Sequence, residues 1–167
     1  MDQLVSAFPF GALFAVVAAA ACYRAVTLQS RGVSLRPWQI GIAPFFGCLA
    51  AAAMLFRASL ATPCLSAWAL VLLGGAAVGA VTARSIRMQV DHVWRLVRVD
   101  WGMDGVLVAF VILFAAGSGA LLGIFSAGVL VWACATALLC GFGAGLLGGR
   151  AWAIAKRIAY STDTELV

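Results

Sequence analysis

Long apolar stretches alternate with short polar segments along the whole of this 167-residue chain. A helix needs about 20 apolar residues to cross the hydrocarbon core of a bilayer, which is about 30 Å thick. The stretches that meet this requirement cover about residues 4–23, 38–56, 63–83, 105–124 and 129–149. The pattern therefore predicts an all-α membrane protein, a five-transmembrane-helix bundle that forms a single integral membrane domain.

The fourth and fifth spans are predicted from one uncharged run. Residues 105–149 contain no charged side chain, and 45 residues are too many for a single crossing. Ser126, Ala127 and Gly128 lie near the middle and supply a helix cap and a turn residue, so the turn is predicted there. In the second span, Pro44 predicts a kink.

The basic residues predict an orientation. Ten of the eleven Lys and Arg residues form three clusters, and only Arg57 lies outside them. The clusters are Arg24, Arg31 and Arg36; Arg84, Arg87, Arg95 and Arg98; and Arg150, Lys156 and Arg157. Because basic loops are retained in the cytoplasm, we expect an N-out/C-in protein of the bacterial inner membrane, with a C-terminal tail at residues 150–167.

Composition and charge distribution restrict the partners. The chain is 65% hydrophobic and 10% charged, whereas an ordinary soluble domain carries about 25% charged residues. The basic residues are spread over loops rather than gathered on one face, so no nucleic-acid partner is expected. The expected partners are the lipid bilayer and the anionic lipid headgroups at its cytoplasmic face.

Residues 85–104 form the one polar segment long enough to fold, and two structures fit its pattern. With helical period, apolar residues line one stripe opposite the basic residues, which predicts an interfacial helix. With period two, residues 86–91 alternate and a second β-rich run follows at residues 96–99, which predicts a hairpin. The cytoplasmic interface predicted for either structure contains Arg84, Arg87, Arg95, Arg98, Trp94 and Trp101.

Small residues recur at every fourth position in the spans, which places them on one stripe of each helix. The glycines predicted to serve helix packing are Gly75, Gly79, Gly119, Gly123, Gly141, Gly145 and Gly149. Missing side chains at this spacing let another backbone approach closely. Packing within one bundle is the simpler interpretation, and contact of the fifth-span stripe with a second copy, giving a homodimer, is the alternative.

Candidate chemistry is sparse. The chain has five cysteines but no C-x-x-C spacing, so they are interpreted as small apolar fillers, and Cys64, expected near the outer surface, has no obvious partner there. His92 is the single histidine, which argues against a transition-metal site. No span carries an ionisable residue in its interior, and no catalytic motif is present. We therefore expect no enzyme activity, cofactor or metal, and we expect Asp104 to cap the fourth helix.

Several of these features occur together in a known group of proteins. The polar segment contains Ile86-Arg-Met-Gln-Val-Asp, then Leu96-Val-Arg-Val, then Trp101-Gly102 before an apolar span. This series resembles small bacterial inner-membrane proteins of unknown function. Those proteins are distantly similar to the CcdC-like proteins named for cytochrome c biogenesis. The Arg-rich first loop and Trp68 before the Gly75 and Gly79 stripe extend the resemblance. It implies strand, turn and strand in the polar segment, with Arg95 where those proteins usually have Gly, and it implies no established activity.

Three functions remain compatible with the sequence. The first is a non-enzymatic accessory or assembly subunit that acts through helix packing, with a homo-oligomer or a membrane-protein partner. The second is a transporter or permeation protein for a neutral or hydrophobic small molecule, for which Pro44 offers a broken helix. The third is a thiol-redox helper in cytochrome c biogenesis.

Overall fold

A computed structural model of the chain describes residues 8–32, 34–57, 62–86, 88–91, 96–99, 102–125 and 130–160. These residues contain five helices that are long and apolar enough to cross a membrane. This confirms five long apolar helices at the predicted stretches, and their crossing of a membrane stays a prediction. The helices are α1 (Phe8–Gln29), α2 (Ile42–Arg57), α3 (Thr62–Thr82), α4 (Gly102–Phe125) and α5 (Leu130–Tyr160). Short 3-10 helices precede α2 (Pro37–Gly41) and follow α3 (Ala83–Ser85).

Two helices extend beyond their predicted ends. α1 continues through Arg24 to Gln29, and α5 continues through the third basic cluster to Tyr160. Residues 150–160 were expected to belong to a tail but are helical. Residues such as Ala151, Ala153, Ala155 and Lys156 have high helix propensity, and no proline ends the helix. A change in hydropathy marks a membrane boundary, which need not be a helix boundary.

Pro44 produces no kink in the middle of a helix. It lies in the first turn of α2, where a proline is tolerated because few backbone hydrogen bonds depend on its nitrogen. The irregularity precedes it, because the chain forms a 3-10 helix over Pro37–Gly41 before α2 begins. The predicted turn at residues 126–128 lies outside the described residues, between the end of α4 and the start of α5.

The polar segment is a hairpin, and the alternative of an interfacial helix is wrong. Strand β1 (Met88–Asp91) pairs antiparallel with β2 (Leu96–Val99), with Val90 opposite Val97. Residues 92–95 at its turn are outside the described part of the chain. Val97 and Val99 are buried while Arg98 between them is exposed. This alternation with period two favours a strand over a helix, because it lets β2 bury one face against the bundle.

The other edge of β2 is also paired. The Leu35 amide donates to the carbonyl oxygen of Val97, and the Val97 amide donates to the carbonyl oxygen of Leu35, both at 2.8 Å. Leu35 belongs to the connection between α1 and α2, so this connection acts as a third extended segment beside the hairpin. Two loops that are far apart in sequence are therefore joined at one end of the bundle.

α5 is the central helix of the bundle. It packs against α2, α3 and α4, while α1 packs against α2 and α4. In the membrane-length windows, 56% of residues are buried in α5 and 17% in α3. The core between these helices is made largely of alanine, which permits close approach; examples are Ala15, Ala19, Ala109, Ala116 and Ala137.

The closest helix contact joins α3 to α5 through glycines on both helices. A Cβ added at Gly75 or Gly79 would overlap the backbone of α5 at Phe142 and Leu146. A Cβ added at Gly145 would overlap the carbonyl oxygen of Leu72, and one added at Gly149 would overlap that of Ala76. Each helix therefore leaves space for the backbone of the other. The glycine run of α5 faces α3 of the same chain, so this stripe is not available to a second copy.

Two further predicted glycines also lie at contacts. Gly119 of α4 faces the Met54 side chain and Thr136, and a Cβ added there would lie 3.0 Å from the hydroxyl oxygen of Thr136. Gly141 lies against the indole of Trp68, with a virtual Cβ 2.8 Å from Nε1. The surroundings of Gly123 are outside the described residues.

The glycine contact predicts a difference between two neighbouring substitutions in α3. Gly79→Ala should lower the free energy of unfolding by about 1–3 kcal/mol, because the added methyl group meets the α5 backbone. Gly74→Ala, five residues earlier on the same helix, has no atom within 4 Å of its virtual Cβ. It should leave stability unchanged or raise it by up to about 1 kcal/mol through helix propensity. Thermal unfolding of both variants in the same detergent measures the difference, and equal midpoints would show that the close contact does not form.

Candidate functional site

The surface between α3 and α5, here called the α3–α5 seam, joins the two ends of the bundle. α3 and α5 run parallel along it: Cys64 lies beside Cys134 at one end, and Thr82 lies beside Arg150 at the other. The end with Cys64 and Cys134 is called the disulfide end. The end with Thr82 and Arg150 is called the basic end, because the described Arg and Lys side chains lie there. Arg57, the last residue of α2, lies at the opposite end of its helix from Arg36 and the 3-10 helix Pro37–Gly41.

A disulfide closes the seam at the disulfide end. Cys64 and Cys134 are bonded, with their Cα atoms 6.3 Å apart and a sequence separation of 70. The expectation that Cys64 lacks a partner is therefore wrong. Both cysteines lie in the first two turns of helices that start at the same end of the bundle. Their positions in the predicted spans were the one feature of the sequence that could have indicated the disulfide. The sequence did not show that these two helices are neighbours.

The remaining cysteines are free thiols. Cys22 and Cys140 are buried and Cys48 is exposed. The Cys140 thiol donates to the carbonyl oxygen of Ile112 across a distance of 3.8 Å. Cys22 and Cys140 belong to the apolar core, as small fillers do, whereas Cys48 is exposed on α2.

A polar network closes the seam at the basic end. The Arg150 side chain is 5% exposed, and its Nη2 is ion-paired with the carboxylate of Asp104, which is 59% exposed. Arg150 Nε donates to the Thr82 hydroxyl over 3.0 Å, and that hydroxyl donates to the carbonyl oxygen of Gly79 over 3.1 Å. Three helices are thereby connected: α3 through Thr82, α4 through Asp104 and α5 through Arg150. The Nη1 atom of Arg150 is buried without a hydrogen-bond partner.

This network differs from the roles expected of its members. Asp104 lies in the first turn of α4, as a capping residue would, where a carboxylate also interacts favourably with the helix dipole. Its partner is nevertheless the guanidinium of Arg150, which was expected to be a loop cation. Burial of a charged side chain is costly unless it is paired, and sequence reasoning missed the pair because its members are 46 residues apart.

Arg157 attaches the hairpin to the bundle. Its Nη1 donates to the carbonyl oxygens of Ala83 and Ile86, each at 2.9 Å. Ala83 begins the 3-10 helix after α3, and Ile86 leads into β1, so one side chain of α5 donates to two carbonyls of the segment that joins α3 to β1. The direction in which the chain enters β1 is fixed by this contact.

The predicted cytoplasmic interface is only partly described. Arg84 is exposed in the 3-10 helix after α3, and Arg98 is exposed on β2. The side chains of Arg87, Trp94, Arg95 and Trp101 lie outside the described residues. Arg98 contacts the connection between α1 and α2: a Cβ added at Gly32, which has φ +67°, would lie 3.5 Å from its Nη2. The structure thus brings together two basic clusters that the sequence separates.

No family model, curated protein or solved structure matches this chain. The resemblance to the CcdC-like proteins therefore stays a prediction. The molecular role has to be inferred from the geometry of the seam and of the basic end.

The polar network makes a prediction about Asp104. Asp104→Asn leaves the buried guanidinium of Arg150 without its counter-charge and should lower the free energy of unfolding by about 1–3 kcal/mol, less than for a fully buried pair because the carboxylate is half exposed. The double variant Asp104→Asn with Arg150→Met removes the unpaired charge and should be more stable than Asp104→Asn alone. Chemical unfolding in detergent measures both. If Asp104→Asn matches the wild-type protein, the ion pair does not contribute to the fold.

Proposed function

We propose that this is a multi-pass protein of the bacterial inner membrane, with its N-terminus outside and its C-terminus in the cytoplasm. Two independent features support this orientation. The described basic side chains lie at the basic end: Arg24, Arg31, Arg36, Arg84, Arg98, Arg150, Lys156 and Arg157. Basic segments are retained in the cytoplasm. The disulfide lies at the opposite end, and disulfides persist in oxidising compartments such as the bacterial periplasm.

We further propose that the protein is a non-enzymatic accessory or assembly subunit that acts by packing α3 against a helix of another membrane protein. The observation that carries this proposal is the contrast between how firmly α3 is held and how little of it is covered. Only 17% of its membrane-length window is buried, yet a disulfide, four glycines and the Arg150 network hold it against α5.

The uncovered side of α3 has the chemistry of a helix-packing surface. Leu70 and Leu73 are 71% and 64% exposed, and a Cβ added at Gly74 would meet no atom within 4 Å. Ala77 is exposed one turn further on. In a bilayer, small residues on an exposed helix face let a second helix approach closely. A helix held in a fixed orientation also loses little freedom when a partner binds.

The two alternative functions receive less support from the geometry. A thiol-redox helper needs a pair of sulfur atoms that a partner thiol can reach. Cys64 of the disulfide is buried in the seam, and the exposed thiol, Cys48, is not part of the disulfide. A carrier usually places ionisable groups along its pathway. Among the described residues, the buried charged side chain is Arg150, which is paired at the basic end.

Site-specific photocrosslinking tests the packing proposal. A photoreactive amino acid at Leu73 on the open side of α3 should give a discrete protein adduct in native membranes. The matched control is Phe114 on α4, which is 67% exposed, and it should give lipid adducts only. A partner adduct from Leu73 supports the accessory role, and an adduct of twice the mass of the chain identifies the partner as a second copy. Equal, protein-free labelling at both positions contradicts the proposal.

The orientation is tested separately. A fluorescent protein fused after Val167 should fluoresce in the cytoplasm, and a cysteine introduced at Asp2 should react with a membrane-impermeant maleimide in intact spheroplasts. A four- or six-span arrangement would move at least one basic cluster across the membrane, against the charge preference of the loops. Alkaline phosphatase activity from a C-terminal fusion would show that the orientation is wrong.

A further inference from the structure

Three arginines from two separate basic clusters meet at the basic end of the bundle. Arg31 and Arg36 belong to the connection between α1 and α2, and Arg98 belongs to β2. The hydrogen-bonded pair of Leu35 and Val97 places these segments side by side, with both bonds at 2.8 Å. We call Arg31, Arg36 and Arg98 the arginine cluster.

The register of this pairing sets the direction of the side chains. Successive residues of an extended chain point to opposite faces. Leu35 and the buried Val97 are the hydrogen-bonded pair, and Val97 belongs to the core. Ser34, Arg36 and Arg98 therefore share the opposite face, and all three are exposed. Ser34 lies directly across from Arg98 in a non-hydrogen-bonded pair, and Arg36 lies on the diagonal, which spans about 7–8 Å.

The third arginine lies beside this face. The Arg98 guanidinium lies over Gly32, with its Nε 3.7 Å and its Nη2 3.5 Å from the position of a Cβ there. Arg31 precedes Gly32 in the same turn and is exposed. Within the described residues, the one ion pair joins Arg150 to Asp104, so these three arginines have no ion pair there. The register places one acidic residue, Asp91 opposite Leu96, on the same face of the hairpin. Like charges brought this close repel one another unless an anion lies between them.

The position of the cluster indicates the source of the anion. Trp38 follows Arg36 by two residues and is 64% exposed. Exposed tryptophans of membrane proteins concentrate at the level of the headgroups. Arg36 and Arg98 are therefore at the depth where phosphate groups of lipids lie, provided that the basic end faces the inner leaflet as proposed above.

We propose that the arginine cluster binds the phosphate of an anionic phospholipid of the inner leaflet. Guanidinium groups suit this ligand, because each presents a planar pair of donors that matches phosphate oxygens. Arg36 and Arg98 donate to the phosphate from two sides, and the Ser34 hydroxyl between them donates a further hydrogen bond. Arg31 adds charge at the edge of the site. The site rests on the membrane placement under the proposed function but not on a protein partner.

Native mass spectrometry of the full chain in a neutral maltoside detergent tests the site. The probe is dioleoylphosphatidylglycerol, compared with dioleoylphosphatidylcholine. The variants are Arg36→Gln, Arg98→Gln and their combination. The matched controls are Arg84→Gln and Lys156→Gln, which remove exposed cations of the basic end outside the cluster. Equal thermal unfolding midpoints ensure that the folded proteins are compared.

Each substitution within the cluster should weaken phosphatidylglycerol binding roughly five-fold, and the combination roughly 25-fold, as expected for about 1 kcal/mol per guanidinium whose hydrogen bonds to the phosphate are lost. The controls should change it less than two-fold. Equal losses in the controls would overturn the site, because they would show general attraction to a basic surface. Competition by millimolar inorganic phosphate would overturn the lipid assignment in favour of a free anion. Binding without any partner adduct from Leu73 would retain the lipid site and reject the accessory role.

Discussion

The close approach of the α3 and α5 backbones is the contact on which the arrangement of the bundle depends. Helices in lipid gain little from burying apolar surface, because lipid tails are as apolar as leucine, so van der Waals contact at short range has to hold them. Gly75 and Gly79 on α3, with Gly145 and Gly149 on α5, allow that contact in the observed register. The same register brings Cys64 to Cys134 and Thr82 to Arg150, so the covalent and polar contacts at the two ends follow from the glycines between them.

Arg150 shows how a charged side chain is accommodated in this setting. Its charge is taken out of water at the point where α3 ends and α4 begins, so one side chain can reach both Thr82 and Asp104. A carboxylate in the first turn of α4 also meets the positive end of the helix dipole. The pair therefore costs less here than it would halfway along the helices, where neither a helix end nor water is near.

The sequence predicted what depends on local pattern. Five apolar runs predicted five helices, which the structure contains. For residues 85–104 the periodicity fitted both a helix and a hairpin, and the structure forms the hairpin of Met88–Asp91 and Leu96–Val99. The sequence could not predict what depends on which helices are neighbours. The Cys64–Cys134 disulfide and the pairing of Arg150 with Asp104 each join residues from spans that hydropathy treats as independent. The glycine stripes on the third and fifth spans were visible, but whether they met each other or a second copy depended on the packing.

The basic end is organised by contacts that the loops make with one another. Gln29, buried at the end of α1, donates to the carbonyl oxygen of Gln39 over 2.8 Å, which fixes the start of the α1–α2 connection. Leu35 then pairs with β2, and Arg157 of α5 holds the carbonyls of the segment that enters β1. Each of these contacts is a hydrogen bond, and together they leave the exposed face of the α1–α2 connection and β2 uncovered. Charged side chains can therefore gather on that face without being needed for the fold, and a surface that the fold does not need is the one most readily used to bind something else.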